Sequence, residues 1–281
     1  MVKIVADTLS SIPLDVAKAH GITMLPQIII FGEETYRDDT EMNTQTFLEK
    51  LRTSPVLPKT AAPPPALYTP IFEQMIEEGH TVICLCPSTD LSGTFRSASV
   101  ALEDFPGADI RVVDTRCIAG LFGEMVLLAA QWAHDGVDAD TIIARIHDLI
   151  ARQRTYFVVD TLEYLHKGGR IGGAKALLGG VLQVKPILTL QNGRVEPFEQ
   201  QRTTRRALSR LRELVLEECP HGADAHLCIL QVDAEEEAQA LATDLAAAIG
   251  VPEAPIYELP PAVVVHAGPG TLGVGFLAAT A

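Results

Sequence analysis

The sequence predicts an α/β protein whose N-terminal region forms a doubly wound, mainly parallel sheet and whose C-terminal region is α+β, with a mixed or antiparallel sheet. In residues 1–155, strand-like apolar runs alternate with helical periodicities, and each strand ends in a polar loop, as in parallel sheets. Beyond residue 155, a hairpin signal at Asn192-Gly193 breaks this alternation. A chain of 281 residues accommodates two such units, so we predict domains at 1–155 and 156–281.

The N-terminal region begins with an apolar strand at residues 2–6, followed by a polar loop and a helix whose first turn suits Pro13. A β-branched run then predicts one strand over 22–31. Prolines between 58 and 65 exclude a helix there and predict an extended loop that holds Thr60 on a stiff backbone. The remaining predicted elements are strands near 35–37, 81–86 and 109–113, and helices near 46–52, 67–78, 95–105 and 141–153, with another helix that ends near 134.

The C-terminal region begins with a strand at 156–160, after which a short helix leads into a glycine-rich bend that carries Lys167 and Arg170. The spacing of apolar residues predicts a basic amphipathic helix at 204–218. The other predicted elements are helices at 174–182 and 235–249, the two strands of the hairpin, a strand at 226–232, and strands near 256 and 263.

The last segment contains a literal GxGxxG pattern at Gly268, Gly270 and Gly273, after an apolar run that reads as a strand. A dinucleotide fold needs a helix, a second strand and an acidic residue downstream, yet only eight residues follow Gly273. We therefore interpret the pattern as a tight turn that presents His266 to a cleft. Taken alone, His266 is typical of a half-buried structural histidine.

Charge and composition restrict the classes of partner. The chain has 36 acidic and 22 basic residues and a net charge of −14, which disfavours a general nucleic-acid binder. Between residues 167 and 212, however, basic residues greatly outnumber Glu196 and Glu199, the only acidic ones. This basic region is either a solvated helix face or a docking surface for an anionic partner or lipid headgroup.

Other features favour a cytoplasmic protein without a metal centre. The five cysteines include no CxxC pair, so we predict reduced, mostly buried thiols and no metal site. The first residues read as a strand rather than a signal peptide. No apolar run approaches the roughly 18 residues that a membrane-spanning helix needs.

The loop after the strand at 81–86 is the strongest candidate for a binding site. Ser88, Ser92 and Thr94 surround Gly93 just before a helix begins. Backbone N–H groups and hydroxyls at a helix start can hold an anion, and ligands of open α/β sheets lie at such strand ends. The same residues also fit an ordinary helix cap.

Several segments together resemble the signatures of the bacterial DegV family, which includes the fatty-acid-binding subunits of fatty acid kinase. The matching segments, in chain order, are DTLSS from Asp7, KTAAPP from Lys59, STDLSGTFRSA from Ser88, VDTRCIAGLFG from Val113, DTLEYLHKGGRIGG from Asp160, VKPIL from Val184 and HAGPGTLGVGF from His266. The resemblance extends over nearly the whole chain. The combination of SGT, LxxGGRI and GPG is specific.

The resemblance implies a non-enzymatic carrier that holds one long-chain fatty acid in an apolar tunnel and needs no cofactor. A separate kinase subunit would bind ATP and phosphorylate the carboxyl group, and the acyl phosphate would serve phospholipid synthesis. By motif position, Thr60, Ser92 and Gly93 would bind the carboxyl group. Arg170 and His266 would lie near it and near the kinase surface. Transient contact with a membrane surface is a separate prediction, which rests on the basic region. Candidates to line the tunnel are Ile28, Ile30, Leu121, Phe122 and Leu182.

This chain departs from the family pattern close to the expected headgroup site. Ala61 and Ala62 stand where the family commonly has Ser-Gln, and Ala119 and Leu121 stand where serine and glycine are frequent. Fewer side-chain donors would therefore surround the carboxyl group. Thr60 is consequently a less secure ligand than Ser92.

Two other classes of function fit parts of the sequence. A serine hydrolase would use Ser92 as nucleophile and His266 as base, but no GxSxG elbow surrounds Ser92 and no Asp is suitably spaced to orient His266. A nucleotide enzyme would use the glycine-rich loops, but the chain has no GxxxxGK[ST] motif. ATP is therefore expected to come from a partner.

Overall fold

The structure, a computed structural model, describes residues 1–178 and 184–279. In chain order the strands are β1 (Val2–Asp7), β2 (Thr23–Leu25), β3 (Ile28–Phe31), β4 (Glu34–Arg37), β5 (Lys59–Ala61), β6 (Thr81–Cys86), β7 (Ile110–Asp114), β8 (Gln153–Val158), β9 (Lys185–Gln191), β10 (Arg194–Gln201), β11 (Cys228–Val232), β12 (Ile256–Glu258) and β13 (Thr271–Leu277). The helices are α1 (Leu14–Ala19), α2 (Thr44–Thr53), α3 (Pro65–Glu77), α4 (Thr94–Leu102), α5 (Ala119–His134), α6 (Ala139–Arg152), α7 (Glu163–Lys167), α8 (Thr204–Glu218), α9 (Glu235–Ile249) and α10 (Pro261–Ala267). Three short 3-10 helices cover Thr8–Ser10, Gly172–Leu177 and Ala223–Ala225.

The N-terminal region contains the predicted parallel sheet. Its four strands lie in the order β2-β1-β6-β7, and every neighbouring pair is parallel. Helices α3 and α4 cover one face, where Phe72 and Ala98 are fully buried, and α5 packs on the other face against β1. Since both faces are covered, the central strand β6 is apolar along almost its whole length.

The predicted single strand at 22–31 is wrong, because the segment divides between two sheets. Strand β2 pairs with β1, the chain turns at Pro26 and Gln27, and β3 then joins an antiparallel sheet in the order β4-β3-β5. Pro26 lacks the N–H needed to continue a ladder. The predicted extended loop around Thr60 is in fact the edge strand β5, in which Thr60 pairs with Ile29.

The C-terminal region has the predicted mixed sheet, with six strands in the order β10-β9-β8-β13-β11-β12. All neighbouring pairs are antiparallel except β11 and β12. The Asn192-Gly193 hairpin and the helix at 204–218 form as predicted. Of the helix predicted at 174–182, a 3-10 turn covers Gly172–Leu177, and residues 179–183 lie outside the described part of the chain.

The predicted strand near Val263 is wrong, because this segment is helix α10. A run of valines favours a strand, but Pro261 occupies the first turn, where its fixed φ and missing N–H suit a helix. The helix ends at Gly268, whose φ of 80° suits glycine. The GxGxxG pattern therefore leads from a helix end into β13.

The two regions pack against each other through shared apolar surfaces. Helix α5 contacts β11, β12 and β13, and α10 contacts α2, β3 and β5. The largest core cluster accordingly includes Ile4 and Phe122 from the first region and Val264 and Leu277 from the second. The division into domains at residue 155 stays a prediction. Among the described residues, no helix has the length and apolar character required to cross a bilayer.

Candidate functional site

A cavity lies between the parallel sheet and the mixed sheet. It contains about 870 Å³ of empty space, a volume that includes solvent at its open mouth. Both regions line it, and most lining side chains are apolar. The apolar lining residues are Leu9, Ala62, Leu91, Ile118, Ala119, Phe157, Leu165, Leu190, Val195, Leu230, Leu259, Ala262, Val263 and Ala267.

The five residues predicted to bind or flank a carboxyl group are brought together here. Thr60, Ser92, Gly93, Arg170 and His266 all line the cavity. They come from four separate segments: β5, the loop before α4, the bend after α7, and α10. We refer to these five residues as the polar cluster. The rest of the lining is mostly apolar but also includes Gln27, Thr155 and Thr271.

The loop that carries Ser92 is held by the opposite region. The hydroxyl of Ser88 donates to the carbonyl of Gly193 at 2.7 Å, and the guanidinium of Arg194 bonds to Asp90 at 2.8 Å. A side chain at Gly193 would collide with Ser88, so only glycine lets the hairpin approach this closely. The hairpin therefore fixes the position of the Ser92 loop.

Thr60 and His266 join the two regions across the cavity. Their side chains are 2.9 Å apart, between Oγ1 and Nε2. Burial, with a smaller effect of Arg170, lowers the pKa of His266 to about 4, so the imidazole is neutral at pH 7. Its Nδ1 is buried against Gly168 without a partner among the described residues.

The surroundings of Nδ1 favour one tautomer of His266. A proton on Nδ1 would be a buried donor without an acceptor, so we assign the proton to Nε2. Nε2 then donates to Thr60 Oγ1. The hydroxyl proton of Thr60 is consequently available to a ligand in the cavity.

Arg170 supplies positive charge to the cluster. Its Nε donates to the carbonyl of Leu91 at 3.0 Å and its Nη1 to the carbonyl of Gly168 at 2.8 Å. Within the described residues no carboxylate pairs with this guanidinium, and burial lowers its pKa below the usual value. A half-buried cation held only by carbonyls attracts an anion.

A buried polar network that the sequence analysis missed lies behind Ser92. Asp7 is fully buried and accepts hydrogen bonds from Gln27 at 2.6 Å and Thr94 at 2.7 Å. Burial raises the pKa of Asp7 to about 7, although these bonds oppose the increase. Asp38 bonds to Thr8, and burial likewise raises its pKa to about 7. The DTLSS segment was the available signal, because it places an acid at the end of β1.

The predicted tunnel-lining residues are mostly wrong. Leu121 and Phe122 are fully buried in the core on α5, and neither Ile28 nor Ile30 borders the cavity. Leu182 lies outside the described residues. The apolar wall instead comes from several elements. Strands of the mixed sheet supply Phe157, Leu190, Val195 and Leu230, and loops and helices, α10 among them, supply the rest.

The geometry disfavours the hydrolase alternative. The hydroxyl of Ser92 lies 2.9 Å from Thr94 Oγ1, while His266 bonds to Thr60. No described carboxylate contacts Nδ1 of His266 to orient it as a base. The described residues also include no cluster of three metal-ligating side chains.

Much of the basic region is neutralised by ion pairs with acidic neighbours. Arg210 pairs with Glu199 and Glu217, and Arg212 pairs with Asp244. In contrast, Arg202, Arg205 and Arg206 are exposed, and no carboxylate within 1–178 or 184–279 pairs with them. Unpaired positive charge is therefore concentrated at the start of α8.

Comparison with known proteins gives a consistent result. A family model described as an uncharacterised protein of the DegV family matches residues 1–279. The chain is 36% identical to a DegV domain-containing protein of Streptomyces coelicolor over 97% of each chain. It is 32% identical to Protein DegV of Bacillus subtilis, over 97% of this chain and 98% of that one.

Solved structures of similar proteins have the same fold. One is described as fatty acid binding by a DegV family protein from Thermus thermophilus, with a TM-score of 0.90, 32% identity and 99% of each chain covered. Another is DegV from Bacillus subtilis, described as a fatty acid binding protein, with a TM-score of 0.87, 30% identity and the same coverage.

Proposed function

Since this chain belongs to the DegV family, we propose that it binds one long-chain fatty acid in the cavity between its two sheets. The observation that carries the proposal is a mainly apolar cavity that is also bordered by the hydroxyls of Thr60 and Ser92 and by the positive charge of Arg170. The fatty acid binding described for the proteins from Thermus thermophilus and Bacillus subtilis supports it.

In the proposed complex, Thr60 and Ser92 hydrogen-bond the carboxyl group and the backbone of Gly93 lies beside it. A buried carboxylate is costly unless donors replace its water. The Thr60 hydroxyl and the half-buried Arg170 provide donors of the right polarity. His266 acts through Thr60, because its Nε2 proton fixes the direction of the Thr60 hydroxyl.

The acyl chain supplies most of the binding energy. Each buried methylene contributes about 0.8 kcal/mol, so a long chain against this wall outweighs the headgroup bonds. In this chain Ala62 borders the cavity next to Gly93, where a larger polar residue is common in the family. We expect water to replace the missing side-chain donor.

The finer proposal is that the protein is a carrier rather than an enzyme. It would present the carboxyl group to a separate kinase subunit, which forms the acyl phosphate for phospholipid synthesis in the cytoplasm. The absence of a nucleotide-binding GxxxxGK[ST] motif supports a division of labour with an ATP-binding partner. Incubation with a bacterial fatty acid kinase, ATP and labelled palmitate should yield protein-bound acyl phosphate, and ATP hydrolysis by this chain alone would contradict the carrier role.

The start of α8 is the proposed contact surface for the kinase or an anionic membrane. Arg202, Arg205 and Arg206 provide exposed positive charge on an otherwise acidic protein. Replacing all three with Glu should slow transfer of lipid to anionic vesicles or the kinase but leave retention of the lipid unchanged. Equal transfer rates would show that these arginines are only a solvated face.

The direct test is to extract the protein, purified from a bacterial host, and analyse the lipid by mass spectrometry. We expect close to one fatty acid per chain. Ala62→Trp places a bulky side chain at the cavity wall and should remove the lipid. Ala61→Trp is the matched control, because Ala61 is exposed and its side chain points the opposite way. Lipid-free wild-type protein, or equal lipid in both variants, would contradict the proposal.

A further inference from the structure

A hydrogen-bonded chain leads from the buried carboxyl of Asp7 to the cavity. Asp7 Oδ2 lies 2.7 Å from Thr94 Oγ1, and Thr94 Oγ1 lies 2.9 Å from Ser92 Oγ. Gln27 Nε2 braces the chain, at 2.6 Å from Asp7 and 3.0 Å from Thr94. Asp7 is therefore connected to Ser92 although it does not itself line the cavity.

When Asp7 is ionised, the direction of every bond in this chain is determined. A carboxylate only accepts, so Thr94 must donate its hydroxyl proton to Asp7. The Ser92 hydroxyl must then donate to Thr94, while Ser92 Oγ accepts from the Thr94 N–H at 3.3 Å. Ser92 consequently presents a lone pair to the cavity, which is the wrong polarity for a fatty acid carboxylate.

Protonation of Asp7 reverses the direction of these hydrogen bonds. The carboxyl proton of Asp7 can donate to Thr94 Oγ1, and Thr94 then donates to Ser92. The hydroxyl proton of Ser92 is released toward the cavity. No heavy atom has to move, because the same distances serve both directions.

We propose that Asp7 is a positioning residue for the fatty acid headgroup: binding of the carboxylate is coupled to uptake of one proton by Asp7, which turns the Ser92 hydroxyl toward the ligand. The proton comes from solvent and converts the Asp7 carboxylate to the carboxylic acid, and no covalent bond between heavy atoms changes. This inference rests on the proposed function.

The charged and titratable groups around Asp7 favour the coupling. Asp38, beyond Gln27, is acidic, and the groups that face Asp7 from α3 and β6 are the Tyr68 hydroxyl and the Cys86 thiol. No Lys or Arg within the described ranges bonds to Asp7. A bound carboxylate adds a like charge nearby, which further favours the proton on Asp7. Because the pKa of Asp7 is already about 7, a small additional effect suffices near neutral pH.

The test is calorimetric titration of lipid-free protein with laurate at about pH 8, in buffers of different ionisation enthalpy. We expect uptake of up to one proton per laurate, and a loss of affinity of up to about tenfold per pH unit above pH 8. At pH 8 free laurate is already ionised and His266 is neutral, so neither group contributes to the measured proton uptake. Asp7→Asn imitates the neutral acid and should abolish both the uptake and the pH dependence.

Two further comparisons test whether proton uptake depends on the hydrogen bonds from Asp7 to Ser92 rather than on any buried acid near the cavity. Asp38→Asn removes a similarly buried acid that bonds to Thr8 and not toward Ser92, so proton uptake should persist. Thr94→Ser keeps the relay and should retain the uptake, whereas Thr94→Val should reduce it. The Thr94 pair also tests the inference if Asp7→Asn does not fold.

The outcomes distinguish this inference from the proposed function. Laurate binding without proton uptake, or equal uptake by the wild type and Asp7→Asn, overturns the role of Asp7 and leaves the proposed function intact. Failure of the wild type to bind laurate or palmitate at all overturns the proposed function, and the inference with it.

Discussion

Thr60→Val removes one hydroxyl from the centre of the candidate site and preserves the shape of the side chain. In the lipid-free protein the change breaks the bond of 2.9 Å to His266, which leaves Nε2 without its partner as well as Nδ1. A typical hydrogen bond contributes about 1 kcal/mol to stability, so we expect a loss of that size. Valine suits the edge strand β5, so no further backbone cost is expected.

The effect of Thr60→Val on binding should be larger than its effect on stability. A hydrogen bond to a charged group contributes about 1.5–3 kcal/mol, which corresponds to a loss of affinity of roughly 10- to 150-fold. Calorimetric titration with laurate measures the affinity, and urea unfolding of lipid-free protein measures the stability. Thr60→Ser retains the hydroxyl and should bind nearly as well as the wild type. Wild-type affinity in Thr60→Val would refute the assignment of Thr60 as a headgroup ligand.

Three other changes probe the neighbouring groups. Gly168→Ala introduces a Cβ that overlaps Nδ1 of His266, so the ring must move; unfolding measurements should show a loss of about 1–3 kcal/mol, and an unchanged imidazole environment by NMR would argue against this contact. Arg170→Gln should weaken laurate binding about tenfold by removing the positive charge, whereas Arg96→Gln on the exposed face of α4 should have no effect; equal affinities would exclude Arg170 from the headgroup site. Between about pH 4 and 7 the folded protein keeps the Asp7 proton that the unfolded chain loses, so Asp7 makes the free energy of unfolding fall as pH rises, by at most about 4 kcal/mol. In urea unfolding, Asp7→Asn should show a weaker decline of stability with pH than the wild type. Identical pH profiles would contradict the raised pKa of Asp7.

The fold could be predicted from the sequence wherever local patterns and tertiary packing agree. Strand β6 is a β-branched apolar run ended by a proline, and α8 shows a clear helical periodicity. Both form as predicted. The break between β2 and β3 and the helix α10 were missed because tertiary context decides them. Pro26 redirects the chain into another sheet, and Pro261 starts a helix in a segment whose valines favour a strand.

The polar residues of the candidate site were more predictable than its walls. Thr60, Ser92, Gly93, Arg170 and His266 stand in short motifs that mark their positions, and the structure places all of them around one cavity. The apolar lining has no such signature, because the same residue types line cavities and fill the core. The lining depends on which loops, helices and strands meet in space, and these long-range contacts have no local signal in the sequence.

The buried network illustrates a further limit of sequence reasoning. Asp7 and Gln27 both stand in loops or at strand ends, and neither position indicates burial. Their connection to Thr94 requires β1, the turn after β2 and the start of α4 to meet in space. A polar residue at the end of a parallel strand is therefore a candidate for indirect action on a ligand, as well as for direct contact.

A crystal structure of the protein with palmitate tests the central claim most directly. We predict one elongated ligand between the two sheets, with its acyl chain against Ile118 and Leu230 and its carboxyl group within hydrogen-bond distance of Thr60 and Ser92. Palmitate bound elsewhere, or in this cavity with its carboxyl group remote from both hydroxyls, would contradict the account.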